Sequence, residues 1–203
     1  MMKRSLLLGI VLAVCSLGIV KGQTVSDSLA IVSAQWKIES PQKGIIHKYV
    51  SIPRLYQVPQ SISLIEIDPG AGLKVGVTVS DKMRETSRMA SEQGAIAAIN
   101  GSYFDMKRGN SVCFLKVDRQ VVDTTTLGEF ARRVTGAVSI RKGKIKIISW
   151  NRQIEKQYKG KKGIVLASGP LMLKDGRYYD WSLCEKDFIR TKHPRSAVAL
   201  TKD

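Results

Sequence analysis

The chain has 203 residues, 43% of them hydrophobic. That supports one domain with a packed core, and argues against a disordered chain or two comfortable domains. Lys and Arg number 33 against 17 Asp and Glu, a formal net charge of +16, and a charge this large favours anionic partners.

The N-terminus reads as a targeting segment. Lys3 and Arg4 precede an almost unbroken apolar run from Ser5 to Val20, and Val20 and Gly22 stand at the minus-three and minus-one positions before Gln23. The pattern predicts a signal peptide over residues 1–22 and an exported protein, periplasmic or extracellular. Two alternatives stay open. One is an uncleaved anchor, for which the run is slightly short. The other is a lipoprotein signal at Leu12-Ala13-Val14-Cys15, which fits poorly because apolar residues continue past the Cys. No later stretch is long enough to span a membrane, so no stable span is expected after cleavage. Cleavage removes Lys3, Arg4 and Lys21 and no acid, so the charge falls from +16 to +13. Nucleic acid is not an expected partner outside the cytoplasm. Anionic glycans, lipid headgroups and phosphorylated sugars are, and a solvated basic surface without a specific partner is the alternative.

The remaining cysteines, Cys113 and Cys184, would lie in an oxidising compartment, and a disulfide between them is left open. The two histidines, His47 and His193, stand far apart, and no Cys or His cluster has metal-ligand spacing. Neither a metal nor another cofactor is expected.

Residues 23–43 are polar and mixed and read as a lead-in; from Gly44 onward short apolar runs alternate with turn signals. Ile45 to Ile52 and Ser61 to Ile67 read as strands, the second closed by the turn Asp68-Pro69-Gly70. Leu73 to Val79 alternates as a half-buried strand. Ser80 offers a cap for a helix from about Lys82 to Gln93, ended by Gly94. Ala95 to Ile99 reads as a short buried strand running into Asn100-Gly101. Val112 to Val117 and Val121 to Thr125 form a hairpin around Asp118-Arg119-Gln120. Val138 to Ile140 and Ile145 to Ile148 form another around Arg141-Lys142-Gly143-Lys144. Asn151 to Lys159 predicts a short helix with Ile154 and Tyr158 on one face. Ile164 to Ala167 is a strand entering Ser168-Gly169-Pro170. Leu171 to Leu173 and Arg177 to Tyr179 flank the hairpin signal Asp175-Gly176. Ala197 to Thr201 is strand-like. The class is therefore α+β, a strand-rich mixed or antiparallel sheet with few helices. No βαβ rhythm argues for a doubly wound fold.

Three segments can carry chemistry. In Asn100-Gly101-Ser102-Tyr103-Phe104-Asp105 a strand delivers an amide, a Gly, two aromatics and a carboxylate. An amide suits sugar hydroxyls, Gly permits close backbone approach, and rings can stack on a sugar face. The alternative is an ordinary turn with core aromatics. Ser168-Gly169-Pro170 is a tight turn after a strand. It lacks the flanking glycines of a nucleophile elbow and reads as a backbone turn that shapes a pocket. In His193-Pro194-Arg195-Ser196-Ala197, Arg195 offers a planar fork for a phosphate, or is one exposed charge of a surface loop.

In this order and spacing the three segments resemble the phosphodiester glycosidase domain family. Its pattern is a strand ending in Asn-Gly-Gly-Phe-Phe, a Ser-Gly-Pro-like turn, and an Arg-x-Ala strand. Ser102 and Tyr103 are mild departures. The resemblance covers about residues 44–203. It implies hydrolysis of a sugar-1-phosphodiester at the anomeric carbon, with an anionic sugar phosphodiester or envelope glycan as partner. It also implies catalytic roles for Asp105 and Arg195. Asn100, Gly101, Tyr103, Phe104, Ser168, Gly169 and His193 would bind substrate. The family's later Asp-Gly-Arg and Asp-Gly-Gly-Gly-Ser segments do not follow Arg195-Ser196-Ala197 within the 203 residues. The expectation is thus an N-terminal portion of the domain, incomplete at its C-terminus and inactive alone. A non-catalytic glycan-binding or polysaccharide-assembly protein on the same fold is the alternative.

The export expectation has a direct check. N-terminal sequencing of the secreted product should begin at Gln23, and a product starting at Met1 or at a lipidated Cys15 would overturn it.

Overall fold

A computed structural model describes residues 25–160 and 162–201. The signal-peptide expectation falls on residues outside these. Among the described residues the chain forms two compact units, one of residues 25–40 and 46–66, the other of residues 41–45 and 67–201.

In the first unit, helix α1 (Val25–Val32) precedes three neighbouring strands, β1 (Lys37–Gln42), β2 (Ile45–Leu55) and β3 (Val58–Ile67). The stretch read as a polar lead-in thus carries a helix and a strand. The core is small: Val50, Ile52 and Leu55 are buried, with Ala30, Ile31, Ala34, Trp36 and Ile62 packed against them. Tyr56 and Gln57 between β2 and β3 both have positive φ, at 52° and 69°. This is the backbone a two-residue hairpin needs to match strand twist, here without the usual Gly or Asn.

The second unit is built on a five-stranded sheet in the order β5-β4-β8-β6-β7. Its strands are β4 (Leu115–Val117), β5 (Gln120–Asp123), β6 (Gly136–Arg141), β7 (Lys144–Ser149) and β8 (Ile164–Ser168), and every neighbouring pair is antiparallel. Strand β8 lies at the centre. Val165 and Ala167 are buried while Ile164, Leu166 and Ser168 are half-buried, the period-two pattern of a strand with one covered face. Directly opposite partners share that face: Ala137 lies opposite Ala167, and Ile148 lies opposite Ala137.

The cover comes from Phe114, Val134, Trp150, Ile154 and Tyr158. Phe114, Trp150 and Tyr158 meet with ring centroids 5.2 to 5.8 Å apart. Helix α4 (Arg152–Gln157) is started by Asn151, whose side chain accepts from the amide of Ile154. Its Glu155 turns toward the core, taking bonds from the Thr125 amide (2.8 Å), the Thr125 hydroxyl (2.6 Å) and the Trp150 indole (2.8 Å). One carboxylate thus ties α4 to the end of β7 and to the segment after β5.

Helix α2 spans Thr86–Glu92, shorter than expected, and Ser80 caps no helix; its hydroxyl accepts from Lys82 at 3.4 Å. Helices α3 (Leu127–Arg132) and α5 (Lys186–Arg190) and the short pair β9 (Leu173–Lys174) and β10 (Arg177–Tyr178) complete the unit. Helix α3 had a legible signal: Thr126 caps the amide of Glu129, a Thr-x-x-Glu start. Leu73 to Val79, Ala95 to Ile99 and Ala197 to Thr201 are not strands. Val75, Val79, Ile96, Ile99, Val198 and Leu200 stay exposed. Alternation makes a segment able to pair, but a strand exists only where a second backbone accepts its bonds. The molecule is strand-rich α+β with antiparallel sheets, as its patterning predicts.

Trp150, 2% exposed, joins the aromatic cover to the Glu155 bonds. Trp150→Ala should cost about 3–5 kcal/mol of stability, read as a lower urea midpoint.

Candidate active site

The Asn100 segment runs over the half-buried face of β8 and reaches its C-terminal end. A Cβ on Gly101 would lie 2.9 Å from Leu166 Cδ2, so only Gly passes this close without a shift. The Ser102 hydroxyl donates to Ala167 O at 2.8 Å, and the Tyr103 hydroxyl donates to Gly169 O at 2.5 Å. Gly169 is itself wedged: a Cβ there would stand 2.1 Å from Arg133 O. Ser168 sits half-buried opposite Gly136. The Gly169-Pro170 bond is cis.

The third segment arrives at the same place. Ser196 Oγ donates to Asn100 Oδ1 at 2.5 Å, across 96 residues of sequence. Arg195 Cζ lies 4.3 Å from the ring centroid of Phe188, and its Nη2 donates to Phe188 O (2.8 Å) and Thr191 O (3.0 Å) at the end of α5. Its Nε and Nη1 make no hydrogen bond among the described residues. The structure therefore brings Asn100, Gly101, Tyr103, Gly169 and Arg195 into one neighbourhood.

Three residues that sequence reading missed organise it. Arg133 Cζ stacks 3.6 Å from the centroid of Tyr103 and 4.8 Å from that of Phe188. The rings of Tyr103 and Phe188 meet edge to face at 5.9 Å. Buried Glu129 holds Arg133 with two bonds, Nε to Oε2 at 2.7 Å and Nη2 to Oε1 at 3.0 Å. The spacing of Glu129 and Arg133, four residues apart, was a readable ion-pair signal; nothing local marked Phe188. The cluster holds two guanidinium groups and one carboxylate, so its local balance favours an added anion.

Other assigned residues stand differently. Phe104 is 46% exposed and forms a bridge with Ser111. His193 is exposed and makes no hydrogen bond among the described residues. Asp105 closes a turn: its Oδ1 accepts from the amides of Lys107 (2.7 Å) and Arg108 (3.0 Å). The Arg108 amide first, then that of Lys107, holds its carboxyl below the usual range. It is an ionised group at neutral pH, suited to balancing positive charge and not to donating a proton.

Burial raises the Tyr103 phenol despite the opposing field of Arg133 and Arg195, so it acts as a donor. Burial likewise pushes the Cys113 thiol up to about 11, so it is no nucleophile near neutral pH. Cys113 and Cys184 are both free and buried. No group of three or more His, Cys, Asp or Glu among the described residues could hold a metal ion.

The phosphodiester glycosidase family model matches residues 93–203, more than half of the chain. The chain belongs to the phosphodiester glycosidase family, and the three segments brought together here all lie inside the match. The match begins at residue 93, well after residue 44, the start of the sequence resemblance. No curated protein and no solved structure matches the chain.

Asp105 allows a pH test. Its carboxyl in the folded protein lies below the unfolded value of 3.8, so the stabilisation it gives is present above that value and lost as pH falls through the folded one. Asp105→Asn keeps an acceptor for the same amides and should melt close to the parent at pH 7. It should lose less melting temperature than the parent when both are taken below pH 4. Matching acid profiles would show that the turn does not depend on the charge.

Proposed function

We propose that the protein acts in hydrolysis of a sugar-1-phosphodiester at the anomeric carbon, outside the cytoplasm. The observation that carries this reading is the meeting of Asn100 with Ser196, beside the Arg133 and Arg195 guanidinium groups. Water adds at the anomeric carbon, the bond from that carbon to the bridging oxygen breaks, and a phosphate monoester leaves. Such a leaving group needs less proton donation than a sugar alcohol, so an anion clamp matters more than a strong general acid. Arg195 supplies the clamp through single donors, Nε–H or Nη1–H, which point to different sides of the guanidinium, while Nη2 anchors it on the end of α5. Asn100 and the backbone at Gly101 position the sugar. Asp105 is ionised, as the counter-charge of an oxocarbenium-like centre must be, while its Oδ1 is held in the Lys107–Arg108 turn.

One observation favours the binding-protein alternative. Glu129 is committed to Arg133 and Asp105 to its turn, so the cluster offers no carboxylate pair. The decisive assay incubates the full-length gene product with a panel of sugar-1-phosphodiesters and follows release of reducing sugar. Turnover is expected, and Arg195→Lys, which loses the planar fork, should cost about 1–3 kcal/mol of binding or transition-state stabilisation. Binding without turnover of any member would favour the alternative, and unchanged kinetics in the variant would remove Arg195 from the phosphate role.

A further inference from the structure

At the opposite end of β8 from Gly169 lies a concavity of ≈ 560 Å³. It lies between the β6–β7 turn and the segment after α4. Arg141, Lys142, Lys144, Lys146, Lys159 and Lys162 line it. None of the six makes an ion pair among the described residues. Residues 141–162 carry nine Lys and Arg against one acid, Glu155. That acid is bonded to Thr125 and Trp150, so its carboxylate is occupied by internal donors.

Lysine on an edge strand discourages stray pairing, and this would account for Lys144 and Lys146 on β7. It does not account for Arg141, Lys142, Lys159 and Lys162, which lie off that strand and face the same recess. A further cation secures the wall. Buried Lys116 donates from Nζ to Asp118 O and to Gly163 O, the latter at 3.2 Å, and lies opposite Val165, which is in turn opposite Ser139 of the recess. A Cβ at Gly160 would meet Lys116 Cε at 2.1 Å, so a side chain there would displace Lys116. The wall is thus held in place before any ligand arrives.

We propose that this groove binds phosphate groups of a linear phosphodiester-linked glycan chain while another unit of the same chain occupies the Arg195 site. The second half rests on the functional reading above. The groove and the site lie at the two ends of one strand, Ile164 to Ser168, roughly 13 Å apart at the usual rise per residue. A recess with cations on several walls suits a thread of spaced anions better than the flat face of a bilayer. A nucleic acid would need exposed rings for its bases, and the aromatic residue here, Tyr158, packs on Phe114 and Trp150.

The probes are short-chain inorganic polyphosphate, phosphatidylglycerol vesicles and single-stranded DNA, titrated against the purified protein. Polyphosphate should bind with strong salt dependence. Arg141→Glu combined with Lys144→Glu and Lys146→Glu should weaken it about tenfold or more. The milder pair Lys144→Gln and Lys146→Gln should show a smaller loss in the same direction, with circular dichroism confirming the fold of both. On the full-length product, the groove variants should raise KM for a polymeric phosphodiester and leave kinetics on a monomeric one unaltered. Unchanged polyphosphate affinity in the variants, or tighter binding to vesicles or DNA, overturns the groove. Groove-dependent polyphosphate binding with no hydrolysis of any monomer supports the groove and sinks the reading of the Arg195 site.

Discussion

The pairing of Arg133 with Glu129 is the contact on which the site depends. Glu129 is buried and Arg133 half-buried, with 9% and 19% of the two side chains exposed. Two charges withdrawn from water are costly, and their attraction compensates only with good geometry and well-used donors. Here the carboxylate takes the guanidinium through two bonds, and the face of the guanidinium lies on Tyr103 and against Phe188. Removing either partner would strand the other, a penalty of about 3–5 kcal/mol. The same guanidinium thereby joins the end of α3, the Asn100 segment and α5.

From that pair the arrangement follows along β8. The strand's buried face builds the core with Phe114, Trp150 and Tyr158. Its other face and its end receive the Asn100 segment, which bonds to Ala167 O and Gly169 O in passing. Tyr103 thus serves twice, as a hydrogen-bond donor to the Gly169 turn and as the plate under Arg133. Glycine is required where two backbones approach, at Gly169 against Arg133, while Gly101 lies against the Leu166 side chain.

The positive charge is unevenly placed, and this bears on function more than the total does. In the Arg195 neighbourhood cations are stacked on rings and partly neutralised by Glu129. At the other end of β8 they line an open recess without ion pairs among the described residues. The first arrangement holds a defined guanidinium orientation, which suits recognition of one phosphate. The second leaves flexible lysines with strongly hydrated charges, which suits attraction of many.

Some of this was legible in the residues alone. The hairpins around Asp118-Arg119-Gln120 and Arg141 to Lys144, the capped helix after Asn151 and the strand before Ser168 depend on local turn chemistry and short periodic runs. The three site segments were readable as motifs, because a family pattern is a property of order and spacing. Tertiary structure alone decided the rest. Leu73 to Val79, Ala95 to Ile99 and Ala197 to Thr201 alternate like strands but have no ladder, since a strand needs a partner that its own pattern does not name. Residues 23–43 read as a polar lead-in because α1 and β1 are short, with β1 exposed throughout and α1 at most half-buried. The family pattern implies a catalytic role for Asp105, and only the fold closes the Lys107 and Arg108 amides on its carboxylate. Phe188 carried no local mark at all; its role exists only where α5 sets its ring between two guanidinium groups, a contact between residues more than fifty positions apart for Arg133 and seven for Arg195.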